Sequence, residues 1–189
     1  MITDPPKGRL VIKRDGHAIT RLVPKPIVIV DTREGNPFTF QSLPNWIGGI
    51  LRGTLRTGDY TIQGMEALLS LERKSLEDLV GTLMHRRNQF LNECEQMQQY
   101  LYRVILVEAS YEEINSPYGP PLGEYSAAHP NGVSGSLDAV EARYGIPVIY
   151  TSSNRALSER KAASWLSKQF TYWWLETNGY GRYLQDGDL

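Results

Sequence analysis

One cysteine, Cys94, occurs in the 189 residues. That scarcity excludes an intrachain disulfide and a cysteine-built zinc site, and it suits a reducing interior. Cys94 itself reads as a small apolar residue of a helix. Long apolar runs are missing as well: no stretch of about 18 residues is free of polar groups, and the opening MITDPPKGRL has no apolar segment of the signal-peptide kind. The expectation is a soluble, intracellular, cytoplasmic protein with no membrane contact. Nor is there an excess of charge of one sign. Lys and Arg total 20 and Asp and Glu 21, a net charge of -1. A positive coat over the whole surface is excluded, and any nucleic-acid contact must rest on locally gathered cations. What remains is ordinary: 41% hydrophobic and 22% charged residues, in a length able to bury one core without covalent staples.

Along the chain, GRLVIKRDGHAITRLV (8–23) holds two short β-type runs around Asp15-Gly16, predicting a hairpin that decorates the domain. PIVIV (26–30) has the pattern of a strand buried on both faces, with Asp31, Thr32, Arg33 and Glu34 at its carboxyl end. Residues 35–53 read as loop with room for a short helix. GTLRTGDYTI and EALLSLERK predict two antiparallel strands turning near Gln63-Gly64, which make a three-strand sheet with PIVIV. Ser75 and Asp78 read as a capping box ahead of Leu76, Leu79, Val80 and Leu83 at helical spacing. After a break near His85, Phe90, Leu91, Cys94, Met97 and Leu101 mark a helix returning to the strand RVILVEA. Residues 111–132, rich in Pro, Gly and Tyr, are expected to form a mobile surface loop. SLDAVEARYG predicts a helix closed by Gly145, IPVIYT a strand, and 154–174 a long helix. The alternation points to the α/β class.

The stretch LLSLERKSLEDLV (68–80) ends a strand in three charges. Alternation along a strand puts Ser70, Glu72 and Lys74 on one face and Leu69, Leu71 and Arg73 on the other. Asp59 lies on the preceding strand, at a spacing that lets a hairpin carry both carboxylates together. Close carboxylates repel unless a divalent cation relieves them, and hard oxygen ligands suit magnesium. Such an ion binds a phosphodiester and activates water, with Lys74 orienting or helping to deprotonate that water. Each piece also has a plain explanation: a solvated strand face for Glu72 and Lys74, turn chemistry for Gly58-Asp59, an ion pair for Asp31 to Glu34, a helix cap for Asp78. Their combination in order carries the weight.

IVDTRE (29–34), GDY (58–60) and ERKSLEDL (72–79), followed by HRRNQF, ILVE and YGIPVIYTSS, resemble the XPF-type structure-specific endonuclease domain. That family is a branch of the restriction-endonuclease-like PD-(D/E)XK nucleases, and the resemblance covers roughly residues 26–175. It implies a central mixed β-sheet flanked by helices, with an extension over 1–25, the nuclease domain over 26–177 and a tail over 178–189. It further implies a metal site of Asp31, Asp59 and Glu72 holding Mg²⁺, with Mn²⁺ as a substitute. Lys74 becomes the catalytic lysine, the Arg73 carbonyl a contributor to the site, and Arg33, Glu34 and Asp78 supporting residues. The sequence carries neither the helix-hairpin-helix modules nor the helicase of many members, which implies a standalone form in a bacterial or phage-infected cell. The expected activity is metal-dependent cleavage of branched or flap DNA in repair, recombination or phage replication. The alternative is a non-catalytic DNA-binding or assembly module of the same fold. Chance occurrence of the motifs would instead leave Asp59 and Glu72 far apart.

Arg52, Arg56, Arg73, His85, Arg86 and Arg87 are the expected DNA contacts, with Arg86-Arg87 at a helix start the most pointed. His17 and His129 read as surface residues. The last helix presents Leu157, Ala162, Trp165, Leu166, Phe170, Trp173 and Trp174 on one face, part of it for the core. The rest, with the family resemblance, implies a homodimer through the carboxyl-terminal helices.

Overall fold

The computed structural model describes residues 10–119 and 128–181. The expected tail beyond residue 181 and the middle of the 111–132 loop lie outside them. Six strands form one mixed sheet in the order β4-β3-β5-β6-β7-β8: β3 Ile27–Asp31, β4 Gly49–Gly53, β5 Tyr60–Ile62, β6 Leu69–Ser75, β7 Tyr102–Glu108 and β8 Val148–Tyr150. Strand β5 is antiparallel to both neighbours, whereas β3 and β4, β6 and β7, and β7 and β8 run parallel. The expected three-strand unit is therefore the centre of a wider sheet. Helices α1 (Leu76–His85), α2 (Arg87–Met97), α3 (Tyr111–Asn115), α4 (Pro130–Tyr144) and α5 (Arg155–Thr177) complete the fold.

Two apolar cores lie on opposite faces. Leu69, Leu71, Val104 and Leu106 pack with α5 through Ala162, Leu166 and Phe170. Ile105 and Val107, the alternate residues of β7, pack with α1, α2 and α4 through Leu79, Phe90 and Leu137. Period-2 alternation in β6 and β7 is thus the device that separates the two layers.

Four expectations need correction. The expected 111–132 loop opens with helix α3, Tyr111–Asn115, fixed by a reciprocal capping box of Ser110 and Glu113. The opening hairpin, β1 Lys13–Arg14 and β2 His17–Ala18, turns as predicted, with Asp15 and Gly16 at φ 49° and 79°. It is no decoration, however, because the flanking Ile12, Ile19 and Val23 are buried in the first core. The 35–53 segment contains strand β4 rather than a helix: Gly49–Gly53 pairs along β3 on one side only and stays half exposed, so it shows no apolar alternation. Helix α4 begins at Pro130, six residues before the predicted start, with Pro in its first turn and the His129 ring accepting from the Asn131 N–H at 3.3 Å.

Candidate active site

The local chain path explains how the acids meet. Gly58, at φ +78°, makes a turn no other residue fits, since a Cβ would fall 2.3 Å from Ser70 Oγ. The turn delivers Asp59 between two strands: its N–H donates to the Leu71 carbonyl at 2.9 Å, and its carbonyl accepts from the Asp31 N–H at 2.8 Å. The Arg73 N–H donates to Asp59 Oδ2 at 2.7 Å and pins the carboxyl against β6. On the outward face of β6, Lys74 Nζ lies 2.6 Å from Glu72 Oε1 and 5.8 Å from the centre of the Phe90 ring of α2. Asp31, Asp59, Glu72 and Lys74 share one open cavity of about 480 Å³.

The carboxylates differ sharply in charge balance. The Arg33 side chain grips Asp31 with two hydrogen bonds, at 2.8 and 3.1 Å, and the Arg33 and Leu55 N–H groups donate to it at 2.8 and 2.7 Å. The Arg33 contact foremost holds its pKa down at about 2. Asp59 is raised to about 8, first by burial and then by the Glu72 charge, against the pull of the Arg73 N–H. Burial likewise pushes Glu72 up, with Lys74 opposing. Burial would lower Lys74, but the charge and hydrogen bond of Glu72 outweigh it and the net shift is upward. Lys74 is accordingly an ammonium here. Among the described residues, no three His, Cys, Asp or Glu side chains converge as a ready-made ion cage.

Arg73 points through the sheet to the other face. Its guanidinium stacks 4.8 Å from the Phe38 ring centre, pairs with Glu34 at 3.3 Å, and donates through Nε to Glu108 at 2.6 Å. Arg155 of α5 lies 4.9 Å from the same Phe38 ring and 3.8 Å from Glu108. Glu34 also accepts from the Asn36 N–H, so it steadies the loop at the cavity mouth.

Of the expected cations, Arg33, Arg56 and Arg86 line the cavity. Arg52 is spent on the Thr32 and Glu34 carbonyls, at 3.1 and 3.0 Å. Arg87 turns to Ser136 Oγ of α4 at 3.0 Å, and exposed His85 closes α1 away from the cavity lining. Asp78 caps α1: its N–H donates to Ser75 Oγ at 3.0 Å, while that hydroxyl donates to Asp78 Oδ2 at 2.8 Å instead of the reciprocal bond of a full capping box. Glu93, Gln89 and Gln96 of α2 also line the cavity, and Glu93 adds its charge to the Glu72–Lys74 pair. Sequence reasoning missed them, although Arg86, Gln89, Glu93 and Gln96 recur at helical spacing as one polar stripe. Cys94 is buried, and its thiol is pushed up to about 12, chiefly by burial.

A sequence profile described as the ERCC4 domain matches residues 30–162, more than half of the chain. The chain is 32% identical over 126 residues to the DNA repair protein RAD1 of Saccharomyces cerevisiae, a match covering 62% of this chain and 11% of that protein. It is 27% identical over 130 residues to a putative ATP-dependent RNA helicase of Methanocaldococcus jannaschii, covering 68% of this chain and 14% of that one. The chain thus spans roughly a tenth of the length of these curated relatives. Among solved structures it is similar to XPF from Aeropyrum pernix, with a TM-score of 0.56 and 20% identity over 76% of this chain and 61% of that one. The same protein in complex with DNA matches with a TM-score of 0.53 and 20% identity, over 84% and 77%. At that identity the likeness shows the fold, which is the restriction-endonuclease-like mixed sheet expected above.

Proposed function

The chain belongs to the ERCC4 domain family, and from that premise we propose that it is a metal-dependent DNA endonuclease acting at branched or flap DNA in repair, recombination or phage replication. The observation that carries this reading is geometric: Asp59, Glu72 and Lys74 meet in one open cavity, with Lys74 Nζ 2.6 Å from Glu72 Oε1. Burial foremost drives Asp59 and Glu72 toward their neutral forms, and the one ammonium beside them, Lys74, is paired with Glu72. A site selected only for stability would not keep two starved acids beside each other.

That donor set fits a divalent cation: hard carboxylate oxygens, rigid β structure, and excess negative charge to be relieved. With Asp31 neutralised by Arg33, Asp59 and Glu72 are the residues that would hold Mg²⁺, or Mn²⁺ in its place. When bound, the ion supplies Lewis-acid polarisation of the phosphate and a more acidic water. The chain's own groups do the rest. The Arg73 N–H fixes the orientation of Asp59. Lys74, already protonated, acts as a donor to the charge that builds on the phosphoryl oxygens rather than as the base. Arg56 and Arg86 neutralise flanking phosphates at the cavity rim. The DNA bound to the Aeropyrum pernix XPF and the repair role named for the yeast relative support DNA as the ligand. A homodimer through the carboxyl-terminal helices is part of the proposal, although Trp165 and Tyr172 of α5 already pack against the chain's own first core. No described helix is long and apolar enough to cross a membrane, and a cytoplasmic setting is part of the proposal.

The test is cleavage of end-labelled flap, fork, four-way junction and duplex DNA with Mg²⁺ or Mn²⁺. Cutting that requires metal and falls at least about 100-fold in both Glu72→Gln and Lys74→Ala is the expected result. Unimpaired cutting in both variants would sink this site assignment. DNA binding with no cutting by the wild-type chain would favour the non-catalytic module.

A further inference from the structure

A second groove, of about 560 Å³, runs along α5 and is walled on its far side by Leu10, Thr20 and Trp46. We propose that this groove binds single-stranded DNA, as a nucleic-acid site separate from the acidic cavity. On α5 it is lined by Arg160, Lys161, Ser164 and Lys168, whose spacing keeps them on one helical stripe. Lys168 reaches only the Ser164 hydroxyl, at 3.2 Å, and among the described residues Arg160 and Lys161 have no ion-pair partner. The neighbouring Glu159 does not neutralise them, because its carboxylate accepts from the N–H groups of Thr39 and Phe40, at 2.7 and 2.5 Å. No described acidic side chain lines the groove. In a chain of net charge -1, this is a local segregation of cations.

Charge alone would suit any polyanion, but Trp46 narrows the choice. Half-buried and facing the cationic stripe across the groove, it offers an aromatic surface for an unpaired base, while Ser164 leaves room for the backbone to approach. A duplex hides its bases, and an acidic peptide has none to stack. Arg160 and Lys168 are about 12 Å apart along the helix, a span of on the order of two to four phosphates of one strand. The groove and the acidic cavity share no lining residue, and α5 is tied to the loop at the cavity mouth upstream of the groove. Arg155, one turn earlier, donates to the Asn36 and Pro37 carbonyls at 2.6 and 2.9 Å, on the loop that follows Arg33 and Glu34. The inference stands on the groove alone and holds whether or not the other cavity cuts DNA.

The test is fluorescence anisotropy of labelled oligo-dT with EDTA present, so that binding is read without cleavage. Arg160→Glu/Lys168→Glu should bind at least ten-fold more weakly, with a salt dependence shallower by about 1.4, two contacts at ~0.7 each. Arg160→Lys/Lys168→Arg should bind like the wild type. Circular dichroism verifies folding, and exposed Lys161→Glu serves as a second variant if the double reversal is misfolded. The proposal falls if the folded reversed variant keeps wild-type oligo-dT affinity, if it loses blunt duplex to the same extent, or if polyglutamate competes as well as oligo-dT.

Discussion

Arg73 and its neighbours Glu72 and Lys74 stand on opposite faces of one strand and live under opposite electrostatic rules. Behind the sheet, Arg73 is matched by Glu34 and Glu108 and roofed over Phe38. In front, Glu72 and Asp59 outnumber Lys74 and are pushed toward neutrality. The first arrangement is closed and complete, so it holds the fold. The second is open to the cavity and unbalanced, and it is there that cation and phosphate binding is proposed. The two are joined by the Arg73 N–H to Asp59 Oδ2 at 2.7 Å and by Glu34, which pairs with Arg73 and also lines the cavity.

The largest blow to this contrast is Arg73→Ala. It leaves Glu34 and Glu108 without their main partner and removes the stacking on Phe38, so a loss of about 3–5 kcal/mol in chemical denaturation is expected. A loss below about 1 kcal/mol would mean that the rear network is not structural. Asp59→Asn tests the other face and should act in the opposite sense, adding on the order of 1–3 kcal/mol while abolishing cleavage. The pH dependence carries the sign. Asp59 keeps its proton in the folded chain up to about pH 8, whereas its unperturbed value is 3.8. Over that interval the unfolded chain has released a proton that the folded chain retains, so wild-type stability declines as pH rises from about 4 to 8. Melting temperatures of wild type and Asp59→Asn in EDTA should therefore diverge with rising pH, and parallel curves would refute the charge deficit. Asp78→Ala is the smallest effect: about 0.5 kcal/mol from the lost Ser75 contact and first-turn charge, with cleavage retained. A large loss of cleavage would restore Asp78 to the supporting role that the family resemblance implies.

How much of this was legible in the sequence depended on whether the signal was local. Strand β6 and the start of α1 were plain because alternation and the Ser75 cap are written in adjacent residues. Gly145 closed α4 as predicted, at φ 60°. The start of α4 was hidden by Pro130, Gly132 and Gly135, loop signals that tertiary packing overrode. Strand β4 escaped because a glycine-bounded edge strand lacks a buried face. At the site, the motif order named Asp31, Asp59 and Glu72, which line one cavity, and the identity of the starved pair did not follow from it. Asp31 and Arg33 stand two residues apart, and the ion pair offered as the plain explanation of that stretch does form; the sequence did not say that it would set Asp31 apart from Asp59 and Glu72. Glu93 reached the cavity from another helix, a meeting that no spacing rule along β6 announces.

The bonds from Arg155 and Glu159 to residues 36–40 join segments about 120 positions apart. On the ribosome, the loop beside the acidic cavity is made early but stays untethered until α5, translated last of the described helices, has emerged and docked. Strands β3 and β6 can be in place well before then, with the acids already aligned. The cavity acquires its fixed rim only once α5 has docked, so a chain stalled before residue 155 carries every acid of the cavity without the anchor that holds its mouth.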